Sequence, residues 1–290
     1  MKNIPMSETT PINEHTAWEL IKALNPKNEP TSPICIKHDH VCDGWLQVFP
    51  SGSWNSSPLP SVEAGQLFDI YLPIRVMPDL IIAQMGQSLD GRIATVSGDS
   101  HYVTGSADIK HLHRLRALVD AVIVGAGTVA TDDPRLTVRH VSGPQPTRIV
   151  IDPHKRLSDK HKIFTDDSAT TVLIHQGETG QENSENIIYC PAHKSGHLEP
   201  TDIVKALRHR GYRRLLIEGG GITVSRFLDA GIVDRLHVAV APMLIGSGHQ
   251  SFTLKPISSI TDVPRPPCQT YKLGDDVLFD FNLQSKRSQR

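Results

Sequence analysis

Short continuous apolar runs, separated by stretches with apolar residues at helical spacing, occupy most of this 290-residue chain. From about residue 75 the runs 80–85 (LIIAQM), 119–125 (VDAVIVG), 148–152 (RIVID), 171–175 (TVLIH), 186–189 (NIIY), 214–218 (RLLIE), 236–242 (LHVAVAP) and 276–281 predict strands. Helices are expected at 106–118, where Leu112, Leu115 and Leu118 share one side, and at 201–209 and 223–230. Strands apolar on both faces, alternating with helices, predict an α/β fold: a mostly parallel central sheet with helices on both faces.

The first 75 residues have another texture. Residues 17–24 (AWELIKAL) read as a helix stopped by Asn25-Pro26. Runs 34–36 and 45–49 alternate like strands, with Asp43-Gly44 as a turn between them. Residues 50–60, rich in Pro, Ser and Gly, read as loop. All three tryptophans, Trp18, Trp45 and Trp54, lie here and predict either a binding surface or, more simply, a small core. The expected division is an extension of unassigned role at 1–75, a main domain at 76–283 and a tail at 284–290.

Charge and cysteine usage narrow the partners. Thirty Lys and Arg against 31 Asp and Glu give a net charge of −1, which makes no bulk case for nucleic acid or an anionic membrane. No apolar run approaches the roughly 20 residues that span a bilayer. The first ten residues lack the apolar core of a secretory signal, so a cytoplasmic protein is expected. Cys35, Cys42, Cys190 and Cys268 form no C-x-x-C pair and fit free thiols in a reducing compartment. A zinc site from Cys35, Cys42, His38 and His40 would need an uncommon spacing, so no metal is expected.

Three segments carry candidate chemistry. The strand ending at Glu218 runs into Gly219-Gly220-Gly221 and then a helix, where bare backbone and helix N–H groups favour phosphate, and Thr223 adds a hydroxyl. The same segment also suits a plain tight turn, and it is not the G-x-G-x-x-G of a Rossmann fold. A second strand ends in Gly125-Ala126-Gly127-Thr128, followed by Asp132-Asp133-Pro134. The third segment, Gln84 to Ser100, is a polar, glycine-containing stretch suited to cover a ligand. Two glycine-flanked strand ends in one sheet predict a crevice at its carboxyl edge.

The ordered motifs SLDGRIAT…SGDS, HRLRALVDAVIVGAGTVATDDPRLTVR, RIVID, LLIEGGG and VAPMLIGSG resemble the reductase family of riboflavin biosynthesis over about residues 78–282. That resemblance implies a dihydrofolate-reductase-like fold, NADPH as cofactor and a homodimer. It also implies reduction of a phosphorylated ribosylamino-pyrimidine to its ribitylamino form, with hydride passing to C1′ of the opened sugar. Matched to the family's substrate contacts are Gln84, Ser100, Arg116, Leu136, Arg139 and Glu218. Matched to its cofactor contacts are Gly86, Tyr102, Thr128, Asp132, Pro153, Gly220, Gly221, Ile222, Thr223, Val224, Ser225 and Arg226.

Asp132 and Glu218 are the candidate catalytic carboxyls, and Arg116 with Arg139 suits a sugar phosphate through charge-assisted bonds. His154, Lys155 and Arg156 are candidates for the 2′-phosphate of the cofactor. The family's zinc deaminase signature, H-x-E joined to P-C-x-x-C, is absent, so deamination is not expected. Bacterial members carry Lys at the position of Gln84 and archaeal and fungal members Asn; an amide also accepts hydrogen bonds, which suits an amine-bearing base. Two other readings remain open: an NADPH reductase of another pterin- or pyrimidine-like substrate in secondary metabolism, and a non-catalytic ligand-binding or interaction protein on the same fold.

Overall fold

The computed structural model describes residues 11–37, 44–178, 184–193 and 197–284. They form two compact units, Met1–Asp79 and Leu80–Arg290. In the first, helix α1 (Glu14–Ala23) starts at Asn13, whose side chain accepts from the Thr16 amide at 2.9 Å. Strands β1 (Ile34–Lys37), β2 (Trp45–Val48) and β3 (Trp54–Ser57) form an antiparallel sheet, followed by helix α2 (Val62–Arg75).

Strand β3 and helix α2 depart from the sequence expectation. Residues 54–57 are polar, yet they pair with β2, and Trp54 lies 5.1 Å from the Phe68 ring while donating to Asp69 at 2.8 Å. Helix α2 is apolar nearly all round, with Leu67, Phe68, Ile70, Tyr71, Leu72 and Ile74 buried, so it offers no helical stripe to read. Trp18 is a core residue, whereas Trp45 is 41% exposed. Cys35 is a free thiol and exposed. Cys42, His38, His40 and Asp43 fall outside the described residues.

The second unit contains β4 (Leu80–Ser88), β5 (Arg92–Ala94), α3 (Ser106–Leu118), β6 (Ala121–Gly125), α4 (Ala126–Asp132), β7 (Thr147–Ile151), α5 (Lys162–Thr165), β8 (Thr171–Gln176) and β9 (Ile187–Cys190). It continues through α6 (Pro200–His209), β10 (Arg214–Ile217), α7 (Gly221–Asp229), β11 (Arg235–Ala241), β12 (His249–Gln250), β13 (Cys268–Leu273) and β14 (Asp276–Asn282). The sheet order is β13-β14-β11-β4-β10-β6-β7-β8-β9; the seven strands from β11 to β9 run parallel, and β14 and β13 close one edge antiparallel.

Strand alternation sorts the two faces. Ile81, Ala83, Met85, Ile123 and Ile217 pack with Ile203, Val204 and Leu207 of α6 and Val224 and Phe227 of α7. The opposite face meets α3, where Gln84 bonds Asp108 and His237 bonds His111. Helices therefore cover both faces, and the central strands β4, β10, β6 and β7 are buried on both sides, which is why their sequences read as largely continuous apolar runs. The late strand β10 inserts between β4 and β6, bringing the carboxyl ends of all three side by side.

Candidate active site

A cavity of about 1320 Å³ opens at those carboxyl ends. Ligand pockets for single small molecules run to about 1,000 Å³, so this one has room for two ligands together. Its wall is built from two interlocked glycine turns. Gly219, at a φ of +75°, occupies the left-handed region, and a Cβ there would lie 2.7 Å from Thr128 Cγ2. The Thr128 hydroxyl accepts from the Gly220 amide at 2.9 Å, tying α4 to the start of α7. In return, a Cβ on Gly125 would meet the Thr223 hydroxyl at 2.5 Å. No side chain caps the nine-residue α7 at Gly220. Its positive end therefore faces the cavity rather than an internal carboxylate. Bare backbone, a helix N-terminus and the exposed His154 and Arg156 on the wall together fit a dinucleotide phosphate group.

The other side of the cavity is carboxyl-rich. At the end of β10, Glu218 accepts from Arg116 Nε at 2.8 Å and Nη2 at 2.7 Å, and Arg116 Nη1 donates to the Thr137 carbonyl at 3.2 Å. Gln84 Nε2 donates to both oxygens of Asp108, at 3.2 and 3.4 Å. Thr104 also hydrogen-bonds Asp108, and Asp276 accepts from the Gly105 amide at 2.7 Å. Burial pushes the Asp108 carboxyl up to about 7, aided by the nearby charges of Asp276 and Glu218 and opposed by the bonds from Thr104 and Gln84.

The sequence reading did not single out Asp108. The signal was available: it precedes Leu112 by four residues and Leu115 by seven, so an acid stands on the predicted apolar side of α3. Gly105 is the N-cap of that helix, and the Thr104 side chain just before it bonds Asp108.

Most of the predicted site residues line this one cavity: Gln84, Gly86, Ser100, Arg116, Thr128, Asp132, Leu136, Pro153, Glu218, Gly220, Gly221, Ile222, Thr223 and Arg226. The Ser100 hydroxyl stands 3.5 Å from Asp132, whose carboxyl is raised by burial against the lowering effects of that bond and of His101. Arg226 also bonds the Leu198 carbonyl at 2.8 Å.

Other expectations need correction. Val224 and Ser225 are buried off the cavity wall, because one turn of helix cannot point every side chain outward; Ser225 Oγ instead accepts from the Thr253 amide at 2.8 Å. Tyr102 is 83% exposed at a φ of +62° and does not line the cavity. Lys155 stands over the Tyr189 ring, 5.4 Å from its centroid, rather than on the wall. The two phosphate-clamp candidates differ. Arg116 is committed to Glu218, whereas Arg139 lies off the wall, exposed, with Nη1 on the Thr137 hydroxyl at 2.6 Å. One half of the deaminase signature does occur, as His197-Leu198-Glu199, without its P-C-x-x-C partner.

A parallel sheet whose strand ends open on a glycine-walled cleft defines an α/β protein with a small-molecule site. The model of the RibD C-terminal domain family matches residues 79–279, and the chain belongs to that family. The chain is 30% identical over 221 residues to the 2,5-diamino-6-ribosylamino-4(3H)-pyrimidinone 5′-phosphate reductase of Methanothermobacter thermautotrophicus, covering 72% of this chain and all (100%) of the relative. It is 35% identical over 206 residues to the riboflavin biosynthesis protein RibD of Aquifex aeolicus, covering 69% of this chain and 57% of that protein.

Among solved structures, the Thermotoga maritima diaminohydroxyphosphoribosylaminopyrimidine deaminase/5-amino-6-(5-phosphoribosylamino)uracil reductase superposes with a TM-score of 0.60 at 25% identity, over 76% of this chain and 61% of that one. The chain thus spans less than two thirds of the Aquifex and Thermotoga proteins. The mostly parallel α/β architecture with helices on both faces expected from the sequence holds for this domain.

Proposed function

We propose that this chain uses NADPH to reduce a phosphorylated ribosylamino-pyrimidine to its ribitylamino product. The observation that carries this reading is the meeting, in one cavity, of two glycine turns at a helix N-terminus with a buried polar floor of Gln84, Asp108 and Glu218. When bound, the dinucleotide supplies hydride. The residues of the chain hold and orient the reactants.

The amides at the start of α7, with Gly220, Gly221, Ile222 and Thr223, suit the pyrophosphate, and Thr128 fixes their turn. Gly86, Asp132, Pro153 and Arg226 complete the dinucleotide wall, with Arg156 as the cation and His154 as a hydrogen-bonding neighbour for a 2′-phosphate. Gln84 spends its amide nitrogen on Asp108, and its carbonyl oxygen is the acceptor that suits an exocyclic amine on the base. Ser100 and Leu136, both on the cavity wall, are assigned to the sugar phosphate. Glu218, locked by Arg116, is a fixed acceptor for a sugar hydroxyl or ring amine.

The family resemblance also implies a cytoplasmic homodimer, which sedimentation at twice the chain mass of 31.9 kDa would support. Among the described residues no helix is long and apolar enough to cross a membrane. An NADPH-oxidation assay over a small panel of ribotides tests the reading. Turnover is expected with the 2,5-diamino-pyrimidinone ribotide in preference to the 5-amino-uracil one, and Gln84→Lys should lower that preference about tenfold, the worth of one lost hydrogen bond. Oxidation with no member of the panel would remove the reading, and an unchanged preference would remove the role of Gln84.

A further inference from the structure

We propose that Asp108 is the general acid of this reduction, delivering the proton that opens the sugar ring while C1′ receives hydride. The proposal rests on the reductase reading above and adds the proton donor that it lacks.

Position comes first. Asp108 lines the cavity between the two ligand sides. Its carboxyl is bonded to Gln84, the base-reading amide, and its Oδ2 would lie 3.4 Å from a Cβ built on Gly86, on the dinucleotide wall. Proton and hydride therefore arrive from adjoining walls of one cleft.

Charge comes second. Three buried carboxyls stand close together here: Asp108 on α3 and Glu218 after β10 line the cavity, and Asp276 on β14 lies near enough to Asp108 to act on its charge. The Arg116 guanidinium is held by Glu218 through both oxygens. Asp276 takes a backbone amide from Gly105. Among the described residues, the side chains that hydrogen-bond Asp108 are a neutral amide and a hydroxyl, from Gln84 on β4 and Thr104 before α3. A carboxylate buried without a cation is costly, so this is the carboxyl that keeps its proton. Burial, reinforced by Asp276 and Glu218, lifts it to about 7, where an acid is best matched to neutral solution.

The alternatives are less suited. Glu218 is engaged by Arg116. The buried His113 is pushed down to about 3 by burial and by Arg116, Arg139 and His140, and His111 also falls well below the ordinary range, chiefly through burial, so neither carries a proton to give.

The step balances as follows. The Asp108 O–H bond breaks and its proton goes to the ring oxygen O4′. The C1′–O4′ bond breaks with its electron pair passing to O4′, which becomes the 4′-hydroxyl. The lone pair of the glycosidic nitrogen forms a C1′=N iminium. A bound nicotinamide would supply the hydride that C1′ accepts, and the π pair would return to nitrogen. Solvent reprotonates Asp108. The reductant loses one hydride, and the substrate gains hydride and proton.

The test compares wild type, Asp108→Asn and Asp108→Glu by pH–rate profile, and adds an infrared titration of the ligand-free protein. Wild-type kcat should fall on the alkaline side of about pH 7, Asp108→Asn should lose at least about 100-fold and show no alkaline limb, and Asp108→Glu should regain part of both. The carbonyl band of a protonated carboxyl should titrate in the same range in wild type and be missing in Asp108→Asn. Dinucleotide binding by Asp108→Asn at wild-type affinity would show that the variant is folded.

If wild type turns over but Asp108→Asn keeps its rate within about threefold and keeps the limb, the role is overturned while the reductase reading stands. A changed preference between ribotides at unchanged rate also overturns it, making Asp108 a reader of the base. Wild-type protein inactive on every ribotide overturns the reductase reading and this role with it.

Discussion

A carboxylate at the end of a buried strand needs a partner, and Glu218 finds it in Arg116, whose guanidinium meets both carboxylate oxygens. The side chains are only 5% and 8% exposed, so removing either leaves a buried charge alone. Arg116→Met should therefore cost about 3–5 kcal/mol in urea unfolding, and the double variant Arg116→Met/Glu218→Leu should recover most of that loss. Equal losses in the single and double variants would contradict the buried-pair account. The pair also marks the limit of reading at this scale. That Glu218 needed compensation was legible from its place after RLLI, but which arginine supplied it was not. Arg116 and Arg139 look alike in sequence, and only the fold turns one onto Glu218 and leaves the other exposed. Asp108 was legible in principle, as an acid in line with Leu112 and Leu115, but it reads equally as a first-turn acid favoured by the helix dipole.

Helix α7 presents one face to the core and its N-terminus to the cavity, so the two roles separate by residue. Phe227 is buried against the sheet cluster, whereas Ile222 is 74% exposed on the cavity wall. Phe227→Ala should cost about 3–5 kcal/mol and weaken dinucleotide binding by shifting the helix start. Ile222→Ala should leave stability within about 0.5 kcal/mol of wild type. Denaturant midpoints with a binding titration check both, and equal destabilisation would refute this division of faces.

Elements buried on both sides, such as β6, β7 and β10, were legible because each holds three or more consecutive apolar residues. Others were hidden for particular reasons. Strand β13 is mostly exposed along CQTYKL and exists through its pairing with β14. Strands β5 and β12 span three and two residues and are defined by each other. Helix α4 begins Ala-Gly-Thr and is only seven residues long, too short to show a stripe.

Across the whole molecule, buried titrating groups act on stability in opposite directions. Asp108, raised from 3.8 to about 7, binds a proton in the native state that the unfolded chain has lost, so its contribution falls as pH rises from about 4 to about 7 and is flat above. His113, lowered from 6.5 to about 3, binds its proton in the unfolded chain first, so its contribution grows with pH over that lower window. Asp108→Asn removes only the first effect. The stability of the variant relative to wild type should climb from about pH 4 to about pH 7, by at most about 1.4 kcal/mol per pH unit, and then level off. A difference that is constant with pH, in urea midpoints, would contradict the buried-acid assignment.

The two units of the chain differ in what can be assigned to them. The family match begins at residue 79, and every residue given a chemical role above lies in Leu80–Arg290. The central claim is that this unit passes hydride to the sugar carbon of a phosphorylated ribosylamino-pyrimidine. NADPH carrying deuterium at the transferring C4 position, turned over with the 2,5-diamino-pyrimidinone ribotide, tests it most directly. The account predicts a ribitylamino product one mass unit heavier, with the label at C1′. A product without deuterium there, or cofactor oxidation with no labelled product, would contradict it.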